Sequence, residues 1–401
     1  MHIDMHCFEP TLEAAHARLA AVRPEAYART RNALDGAVTR LSPYLTHGFL
    51  TLREVYSAVS ARYPLGAQHK LVFELGWRAY YRHVWSYLGD SVHQSLHTGL
   101  LPDEAYQAEV PVDVVEARTG IAAIDLAVQE LYANGYVHNH ARMWLASYLV
   151  HLRKVHWHAG AQWMLGYLLD GDVASNHLSW QWVAGTGSSK PYLFNADNVA
   201  KFAPAHWHSF GTVIDASYDV MDQCAHSTRS VTSHADAFRS QAGTQPPDRQ
   251  VTPSGAAWAQ PDIGVAAGRE VWLRHPWSLG AAQQLADKNS VSIGIGLAES
   301  HLEMPWSERR WRFVREGLMA QTQHLWWGTT TQIARALSGA RSVRWQSDPH
   351  ADVALARLKS QLQTERGSPV TLALPKPCLF APVEPHCRSF TQWWRQTRIN
   401  A

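Results

Sequence analysis

Two neighbouring segments decide the fold of this chain: GYVHNHARM at residues 135–143 and DGDVASNHLSWQWVAGTG at residues 170–187. In both segments, polar side chains stand among the Val, Leu, Met and Trp residues of a helical core. These polar residues are Asn139, Arg142, Asp170, Asp172 and Asn176. Burying so many charged and amide groups is costly unless each has a partner. We therefore expect this region to hold a polar ligand, because such exceptions concentrate at functional sites.

The residues around these segments predict a helical domain. Apolar residues recur at spacings of three and four, and no convincing strand pattern occurs before residue 200. The predicted helices include 52–62, 69–88, 121–134 and 140–155. Ser42 and Pro43 mark another helix start, because a hydroxyl group can cap the first turn and proline fits its opening position.

The composition changes beyond residue 215. Residues 216–268 are dominated by Ser, Thr, Gln, Ala, Pro and Gly from about residue 227 onward, which predicts a flexible linker. From residue 269, short apolar runs alternate with helical patterns, which predicts a small Rossmann-like α/β domain. The strands are predicted near 270–273, 291–295, 342–345 and 370–374, and the helices near 308–324, 331–338 and 351–364. The predicted organisation is a helical domain at 1–215 followed by an α/β domain at 269–401.

Length and composition set the broad class of protein. A chain of 401 residues suggests two domains, and no apolar run is long enough to cross a membrane. The segment MHIDMHCFEP at residues 1–10 lacks the apolar stretch of a signal peptide. The four cysteines, at positions 7, 224, 378 and 387, show no CxxC pairing, so we expect reduced thiols and no cysteine metal site. These features favour a cytoplasmic protein.

The net charge of +2 is unevenly distributed. Residues 1–210 contain 16 Lys and Arg against 18 Asp and Glu, whereas residues 270–401 contain 16 against 10. DNA binding requires a local basic rim, which net charge neither supplies nor excludes.

Several ordered blocks of the first half resemble one known family. The blocks are LSPYLTHGFLT at 41–51, FELGWRAYYRH at 73–83, TGIAAIDLAVQELYANGYVHNHARM at 119–143, and the DGDVASNHLSWQWVAGTG segment. Together they resemble the flavin-binding helical domain of DNA photolyases and cryptochromes, over about residues 27–195. The resemblance implies FAD as cofactor, damaged DNA as partner and blue light as the energy source.

The second half resembles the antenna domain of the same family, which normally precedes the flavin domain. The resembling segments are VWLRHPWSLGAAQQL at 271–285, PWSERRWRFVREGL at 305–318 and CLFAPVEPHCRSFTQWWRQ at 378–396. This arrangement implies that the two domains have exchanged order, as in a circular permutation. The string His275-Pro276-Trp277 departs from the usual polar pattern of the family, which leaves a second, antenna chromophore open.

The resemblance assigns a set of cofactor-binding residues. The phosphate side of FAD is expected to contact Tyr27, Thr39, Arg40, Leu41 and Ser42, where amides at a helix start attract an anion. Arg78, Asn139 and Arg142 are expected to surround the cofactor, with Asp170 paired to the arginine. Asp172 is expected at the ring edge or ribose, and Asn176 is expected to face N5 of the flavin ring. The alternative for Arg142 and Asp170 is a buried ion pair with a purely structural role.

The same resemblance assigns catalytic and substrate residues. Trp180 and Trp157 match the inner members of a chain that carries electrons to flavin, although without the family pattern they would read as aromatic core. The third member has no clear match, and Tyr106 or Trp85 could replace it. The expected substrate residues, which face a pyrimidine dimer flipped out of the DNA, are Glu74, Trp77, Met143, His140 and Trp182.

These assignments lead to one prediction with two rivals. We expect a monomeric, light-driven lyase in which excited reduced FAD donates an electron to a cyclobutane pyrimidine dimer. The first rival is a photoreceptor of the cryptochrome type without repair activity. The second is a flavin-binding protein without photochemistry, which the missing outer tryptophan favours.

Overall fold

The structure is a computed structural model that describes residues 8–232, 243–280, 289–363 and 369–400. Before residue 233, the described chain forms helices and short turns. The helices are α1 Leu12–Ala20, α2 Pro24–Thr30, α3 Ser42–Thr46, α4 Leu52–Ser60, α5 Lys70–Leu88, α6 Val112–Val115, α7 Ala122–Asn134, α8 Asn139–Ser147, α9 Trp157–Tyr167, α10 Val173–Ala184, α11 Ala196–Phe202 and α12 Tyr218–His226. Short 3-10 turns lie at Gly89–His93, Asp103–Ala105 and Ala205–Trp207, and a π-helical turn at Tyr148–Leu152.

Local chemistry explains where these helices begin and end. Helix α7 ends at Gly135, which has φ of 63°, a left-handed conformation that glycine adopts without steric cost. Helix α8 then gives way to the π-helical turn, so the single helix expected over 140–155 is divided in two. The expected cap at Ser42 is wrong. Leu41 is the capping residue of α3 and Ser42 lies in the first turn, so the Ser42 hydroxyl is not used for capping.

The second half contains a parallel sheet covered by helices. Its strands are β2 Glu270–Arg274, β3 Ser290–Leu297, β5 His324–Gly328, β6 Ser342–Gln346 and β7 Val370–Leu374, after the short strand β1 Arg249–Gln250 and with β4 Trp306–Ser307 between β3 and β5. The helices are α13 Ile263–Ala266, α14 Glu308–Met319, α15 Thr330–Leu337, α16 Pro349–Leu362 and α17 Phe390–Gln396, with a 3-10 turn at Ala298–His301. The sheet order is β5-β3-β2-β6-β7, and every pair in it is parallel. This confirms the expected combination of a helical part and an α/β part.

Two features of the second half differ from expectation. The predicted helix over 308–324 ends at Met319, and the apolar run HLWWG forms β5, which the sequence pattern did not reveal. A buried apolar run of five residues cannot be assigned to helix or strand by periodicity alone. The later part of the expected flexible linker, residues 243–268, also makes strand contacts with the second half. β1 pairs antiparallel with β4, and Ala259 bridges to Trp326.

The two halves share a continuous hydrophobic core. Phe49 of the helical half contacts Phe313 of α14, with ring centroids 5.8 Å apart, and Tyr44 lies 6.1 Å from the same ring. Next to this contact, the backbone N–H of Leu279 donates to the carbonyl of His47 at 2.8 Å. Burial of aromatic surface dominates such contacts, so we expect the α/β half to fix the position of the helices beneath it.

Two properties expected from composition can be compared with the structure. Among the described residues, no helix combines the length and apolar character needed to cross a membrane. Cys224, Cys378 and Cys387 are free thiols, and Cys7 lies outside the described residues.

Candidate functional site

A cavity of about 350 Å³ opens into the helical half. Its walls come from the loop between α2 and α3, the first half of α5, and facing turns of α8, α9 and α10. Twelve of the expected site residues line it: Tyr27, Thr39, Arg40, Ser42, Glu74, Arg78, Asn139, Arg142, Met143, Asp170, Asn176 and Trp180. The two segments quoted at the outset therefore meet at one site, as their polar residues predicted.

An ion pair fixes the wall formed by α8. Arg142 donates from Nη2 to both carboxylate oxygens of Asp170, at 3.0 and 2.8 Å, and from Nε to the carbonyl of Val137 at 2.7 Å. The Asp170 side chain is 4% exposed and that of Arg142 is 23% exposed. Charge-assisted hydrogen bonds of this kind hold both side chains in place, and the partly exposed guanidinium still faces the cavity.

The cavity wall carries an excess of positive charge. Its cations are Arg31, Arg40, Arg78 and Arg142, and its carboxylates are Glu74 and Asp170. Tyr136 lies between two of these cations, with its ring centroid 5.5 Å from the Arg40 guanidinium carbon and 5.3 Å from that of Arg142. A surplus of two positive charges suits a ligand that contains a diphosphate group.

Asn176 supplies a fixed amide in the same wall. Its Nδ2 donates to the carbonyl of Ala161 in α9 at 2.9 Å. A carbonyl can only accept, so this contact fixes which end of the amide carries the hydrogens and leaves the Oδ1 atom as an acceptor. The site thus offers an acceptor of the kind that the N5–H group of a reduced flavin requires.

The structure places Asp172 outside the cavity, which corrects the expectation that it meets the flavin. Asp172 caps α10 through the N–H and hydroxyl groups of Ser175, and its Oδ1 lies 3.1 Å from Arg82 Nη2 and 3.8 Å from Arg78 Nη2. Burial alone would raise the pKa of Asp172, but Arg78 and Arg82 hold that pKa well below its usual range. Its charge is therefore used at the contact between the two halves.

The Asp172 carboxylate belongs to a buried charge network that we call the interface cluster, made of Arg82, Asp172, Asp348, His350 and Lys376. Arg82 donates to Asp348 at 3.1 Å, Lys376 also contacts Asp348, and His350 donates from Nδ1 to Asp348 at 2.7 Å. Burial would raise the pKa of Asp348, but Arg82 and Lys376 hold it well below the usual range. The cluster joins α5 and α10 to residues of the α/β half.

The α/β half also holds the backbone of the DGD segment. Arg310 of α14 donates to the carbonyls of Leu165, at 2.9 Å, and Gly171, at 2.6 Å. His350 Nε2 accepts the N–H of Val173 at 3.1 Å. A Cβ atom at Gly171 would lie 2.4 Å from Arg310 Nη1 and 2.8 Å from the carbonyl oxygen of Leu165, so a larger residue would force the backbone to shift. The loop that carries Asp170 is thus positioned from behind by the second half of the chain.

The two tryptophans expected to form the inner part of an electron path are both buried in the helical half. Trp180 lines the cavity, and Trp157 is buried in α9 with its Nε1 donating to Ser95 at 2.9 Å. Gly160 of α9 packs against the Trp180 indole, where an added Cβ would lie 2.4 Å from a ring atom. These positions and contacts do not test electron transfer, which stays a prediction.

The structure separates the two candidates for the third member of this path. Tyr106 lies beside His156, with ring centroids 6.1 Å apart, and His156 precedes and contacts Trp157 at 5.8 Å. Trp85 instead contacts His350 in the interface cluster at 4.8 Å. Tyr106 is therefore the candidate that lies on the Trp157 side.

The expected substrate residues do not all reach the cavity. Glu74 lies at its mouth, 42% exposed, with Oε1 3.4 Å from Arg31 Nε. Met143 also lines the mouth, and its sulfur accepts from Asn139 Nδ2 at 3.3 Å. Trp182 lies on the surface, 38% exposed, with its ring stacked at 5.5 Å on Tyr192.

Two expected substrate residues are placed differently. Trp77 does not line the cavity, because Phe390 of α17 stacks on its ring at 4.1 Å with an interplanar angle of 11°. His140 is buried between Asn32, whose carbonyl lies 2.5 Å from Nδ1, and the ring of Phe202 at 4.6 Å. Burial lowers the pKa of His140, which favours the neutral form of its ring near pH 7. Leu41 is also buried and lies outside the cavity lining.

Several lining residues were missed by sequence reasoning. They are Arg31, Asn32, Tyr136, Ser175 and Ser179. Tyr136 lies within the quoted GYVHNHARM segment, and its position next to Gly135 was the signal that could have identified it. Arg31 and Asn32 follow α2 in a stretch without periodic pattern. Only the folded chain shows that Arg31 reaches Glu74 and that the carbonyl of Asn32 meets His140.

Sequence comparisons with known proteins identify the same region of the chain. Residues 71–209 match the family described as the FAD binding domain of DNA photolyase. The chain is 35% identical over 156 residues to a deoxyribodipyrimidine photo-lyase of Streptomyces griseus, covering 38% of this chain and 33% of that protein. It is 31% identical over 171 residues to a cryptochrome DASH of Gloeobacter violaceus, covering 41% and 34%. A Synechocystis cryptochrome structure aligns with a TM-score of 0.44 and 28% identity, covering 50% of this chain and 46% of that one.

The fold, the cavity and the family match define a photolyase-type FAD-binding domain. Residues 71–209, within the helical half, match the FAD-binding domain of DNA photolyase, and FAD is the cofactor of that domain. The residues present fit this group, because the cavity wall combines an arginine surplus with a fixed amide acceptor. The chain matches about a third of the length of these curated relatives.

Proposed function

We propose that the protein uses light to split cyclobutane pyrimidine dimers in DNA. The observation that supports this proposal best is the carboxyl group of Glu74 at the mouth of the flavin cavity, on the same helix as Arg78 of the cavity wall. A base flipped from DNA must enter through such a mouth to reach a buried cofactor. The polar residues there, Glu74 and Asn139, can then bind the edge of the flipped pyrimidines.

The residues of the cavity divide the remaining tasks. Bound FAD would supply light absorption and a one-electron donor. Arg142, held by Asp170, would bind the negatively charged part of the cofactor, and Asn176 would accept a hydrogen bond from the protonated edge of its ring. Trp180 and Trp157 would pass electrons inward to keep the cofactor reduced.

Glu74 would donate or accept a hydrogen bond at the dimer. Loss of hydration at the cavity mouth raises its pKa, and the Arg31 guanidinium opposes this rise. Because 42% of the side chain is exposed, we expect the net rise to be modest. A carboxyl group poised in this way can stabilise charge that develops on the carbonyl oxygens of the dimer.

The test is illumination of the purified protein with reductant and an oligonucleotide that contains one thymine dimer. We expect flavin absorption bands and light-dependent recovery of thymine absorbance. Glu74→Gln should lower the repair yield about fivefold, equivalent to ~1 kcal/mol, because one hydrogen bond to charge is weakened. The control is Glu109→Gln, at an exposed position away from the cavity, which should repair normally.

One result would contradict the role of Glu74, and another would contradict the proposed repair activity. Unchanged repair by Glu74→Gln would exclude that residue from the mechanism. Bound, photoreducible flavin without any loss of dimers in the unmodified protein would exclude repair itself.

A second function is favoured by one observation, the contact of Phe390 with Trp77. This contact covers a ring that was expected to form a wall for the flipped dimer. A photoreceptor without repair activity requires no such wall. In the same experiment it would show a light-induced change of conformation, measured by limited proteolysis, while the dimers persist.

We also propose that the α/β half is the antenna-like domain of the family, placed after the flavin domain. The helical domain would span 1–215 and the α/β domain 269–401. The all-parallel sheet order and the contacts of Arg310 and His350 with the DGD segment support this arrangement. A cavity of about 410 Å³, between α5 and residues 376–384, offers a position for a second chromophore.

A further inference from the structure

Three histidines from three separate elements meet beside Trp157. His93 ends the 3-10 turn after α5, His158 lies in the first turn of α9, and His177 lies in α10. One ring nitrogen of each lies within 4.8 Å of those of the other two. The closest pair, His158 Nε2 and His93 Nδ1, is 3.3 Å apart. None of these side chains is used by the flavin site described above.

Packing alone does not account for His177. This residue is 0% exposed, and its Nδ1 lies 3.2 Å from the carbonyl of Val173 in the preceding turn. Because a carbonyl only accepts, Nδ1 carries the hydrogen and Nε2 carries a lone pair. Within the described residues, this buried Nε2 has no hydrogen-bond partner. A buried acceptor without a partner is rare and costs about 1 to 3 kcal/mol, which suggests a ligand.

The spacing of the nitrogens suits a tetrahedral metal ion. Zinc binds histidine nitrogen at about 2.0 to 2.1 Å, which places the nitrogens of a tetrahedral site roughly 3.3 Å apart. His93 Nδ1 and His158 Nε2 are 3.3 Å apart, and one ring nitrogen of His177 lies within 4.8 Å of a ring nitrogen of each of these two residues. The Nδ1 contact of His177 with a carbonyl is also the arrangement that orients metal-binding histidines in known sites.

A fourth polar side chain lies beside the three rings. Gln162, one turn after His158 on α9, has its Nε2 atom 3.5 Å from His158 Nε2. Its amide group is therefore close enough to take part in a site built by the histidines.

We propose that His93, His158 and His177 form a binding site for one divalent transition-metal ion, for which Zn²⁺ has the best-matched geometry. Three imidazole ligands leave a fourth position for water or for the Gln162 amide oxygen. The ion would join the turn after α5 to α9 and α10, the helices that carry Trp157 and Asn176. The inference is independent of whether the protein repairs DNA.

The experiment is metal binding by the FAD-containing protein after treatment with a chelator and dialysis. Titration with Zn²⁺ should show one equivalent bound, and Co²⁺ should give the visible absorption of a tetrahedral site beyond the flavin bands. Mg²⁺ should not compete, because it prefers oxygen ligands. Each of His93→Gln and His158→Gln should weaken Zn²⁺ binding at least tenfold.

The matched control is His97→Gln, at an exposed histidine in the same stretch and outside the cluster. This variant should bind Zn²⁺ like the unmodified protein. Two ligand variants are used so that the test still holds if one of them misfolds. The flavin absorbance of each variant shows whether it is folded. Less than a tenth of an equivalent bound by the unmodified protein, or binding that neither ligand variant alters, would overturn the proposal.

Discussion

Asp170 and Asp172 are two residues apart in the same DGD segment, yet they serve different regions of the molecule. Asp170 faces the flavin cavity and pairs with one arginine, which is itself 23% exposed. Asp172 faces the α/β half and lies within reach of Arg78, Arg82 and His350, with no side-chain exposure. The first carboxylate orients a group that contacts a ligand, whereas the second connects two halves of a protein.

The different surroundings of Asp170 and Asp172 show that the flavin site depends on the second half of the chain. The segment can present Asp170 to the cavity because Arg310 holds the Gly171 carbonyl and His350 holds the Val173 N–H from the other side. Arg310 and the interface cluster together therefore support the cavity. Substitutions in the cluster should mainly lower the free energy of unfolding. Substitutions in the cavity wall should mainly lower the affinity for FAD.

The largest effect is expected for Arg82→Ala. This change removes the guanidinium that contacts both Asp172 and Asp348, and leaves two buried carboxylates short of positive charge. Removing one partner of a buried ion pair typically costs about 3 to 5 kcal/mol. We expect a loss of that size in the free energy of unfolding, measured by urea denaturation monitored by tryptophan fluorescence.

The control for this variant is Arg29→Ala. Arg29 is an exposed arginine in the last turn of α2. Its removal should change the free energy of unfolding by less than about 0.5 kcal/mol. A loss below about 1 kcal/mol for Arg82→Ala would mean that Lys376 alone compensates the cluster, and the contrast between the two regions would fail.

An intermediate effect is expected for Asp170→Asn, with Asp172→Asn as its matched partner. Asp170→Asn keeps the shape of the side chain but removes the charge that orients Arg142. We expect FAD affinity to fall about tenfold, or ~1.4 kcal/mol, with a smaller loss of stability of the FAD-free protein. Asp172→Asn should instead lower the stability of the FAD-free protein more than its affinity for FAD, because the charge of Asp172 is used in the interface cluster.

The measurements are flavin fluorescence during titration of FAD into FAD-free protein, and urea denaturation of the same samples. Equal losses of affinity and stability in both variants would show that the DGD segment acts as one unit.

How much of this contrast the sequence could predict depends on where each residue's partners lie. Arg142 and Asp170 were predictable, because both partners belong to the quoted segments of the helical half. The placement of Asp172 was not, because Asp348 and His350 lie about 180 residues away in the second half. Trp77 was misplaced for the same reason, since the ring that covers it belongs to α17.

The fold shows the same division. Long amphipathic helices such as α5 were predicted almost to the residue, since periodicity over 19 residues is unambiguous. The strand β5 was missed, because a run of five residues carries too few repeats to distinguish strand from helix. The three-histidine cluster was also missed, because its members lie far apart in sequence and no short motif connects them.

The smallest effect is expected in the dependence of stability on acid. The pKa of Asp348 is held below its usual range in the folded protein and returns to about 4 on unfolding. Stabilisation from this group is therefore complete above about pH 4 and decreases as the pH falls further, because the unfolded chain then binds the proton more tightly. One such carboxylate contributes at most about 1.4 kcal/mol per pH unit to the slope.

Asp348→Asn should flatten the slope of the unfolding free energy between about pH 4 and pH 3 by up to this amount. The control is Asp222→Asn, at a side chain that is 56% exposed, which should leave the slope unchanged. Equal slopes for Asp348→Asn and the unmodified protein would place the acid sensitivity outside the interface cluster, and the support of the cavity would then have to be sought in the hydrophobic contacts of Phe313.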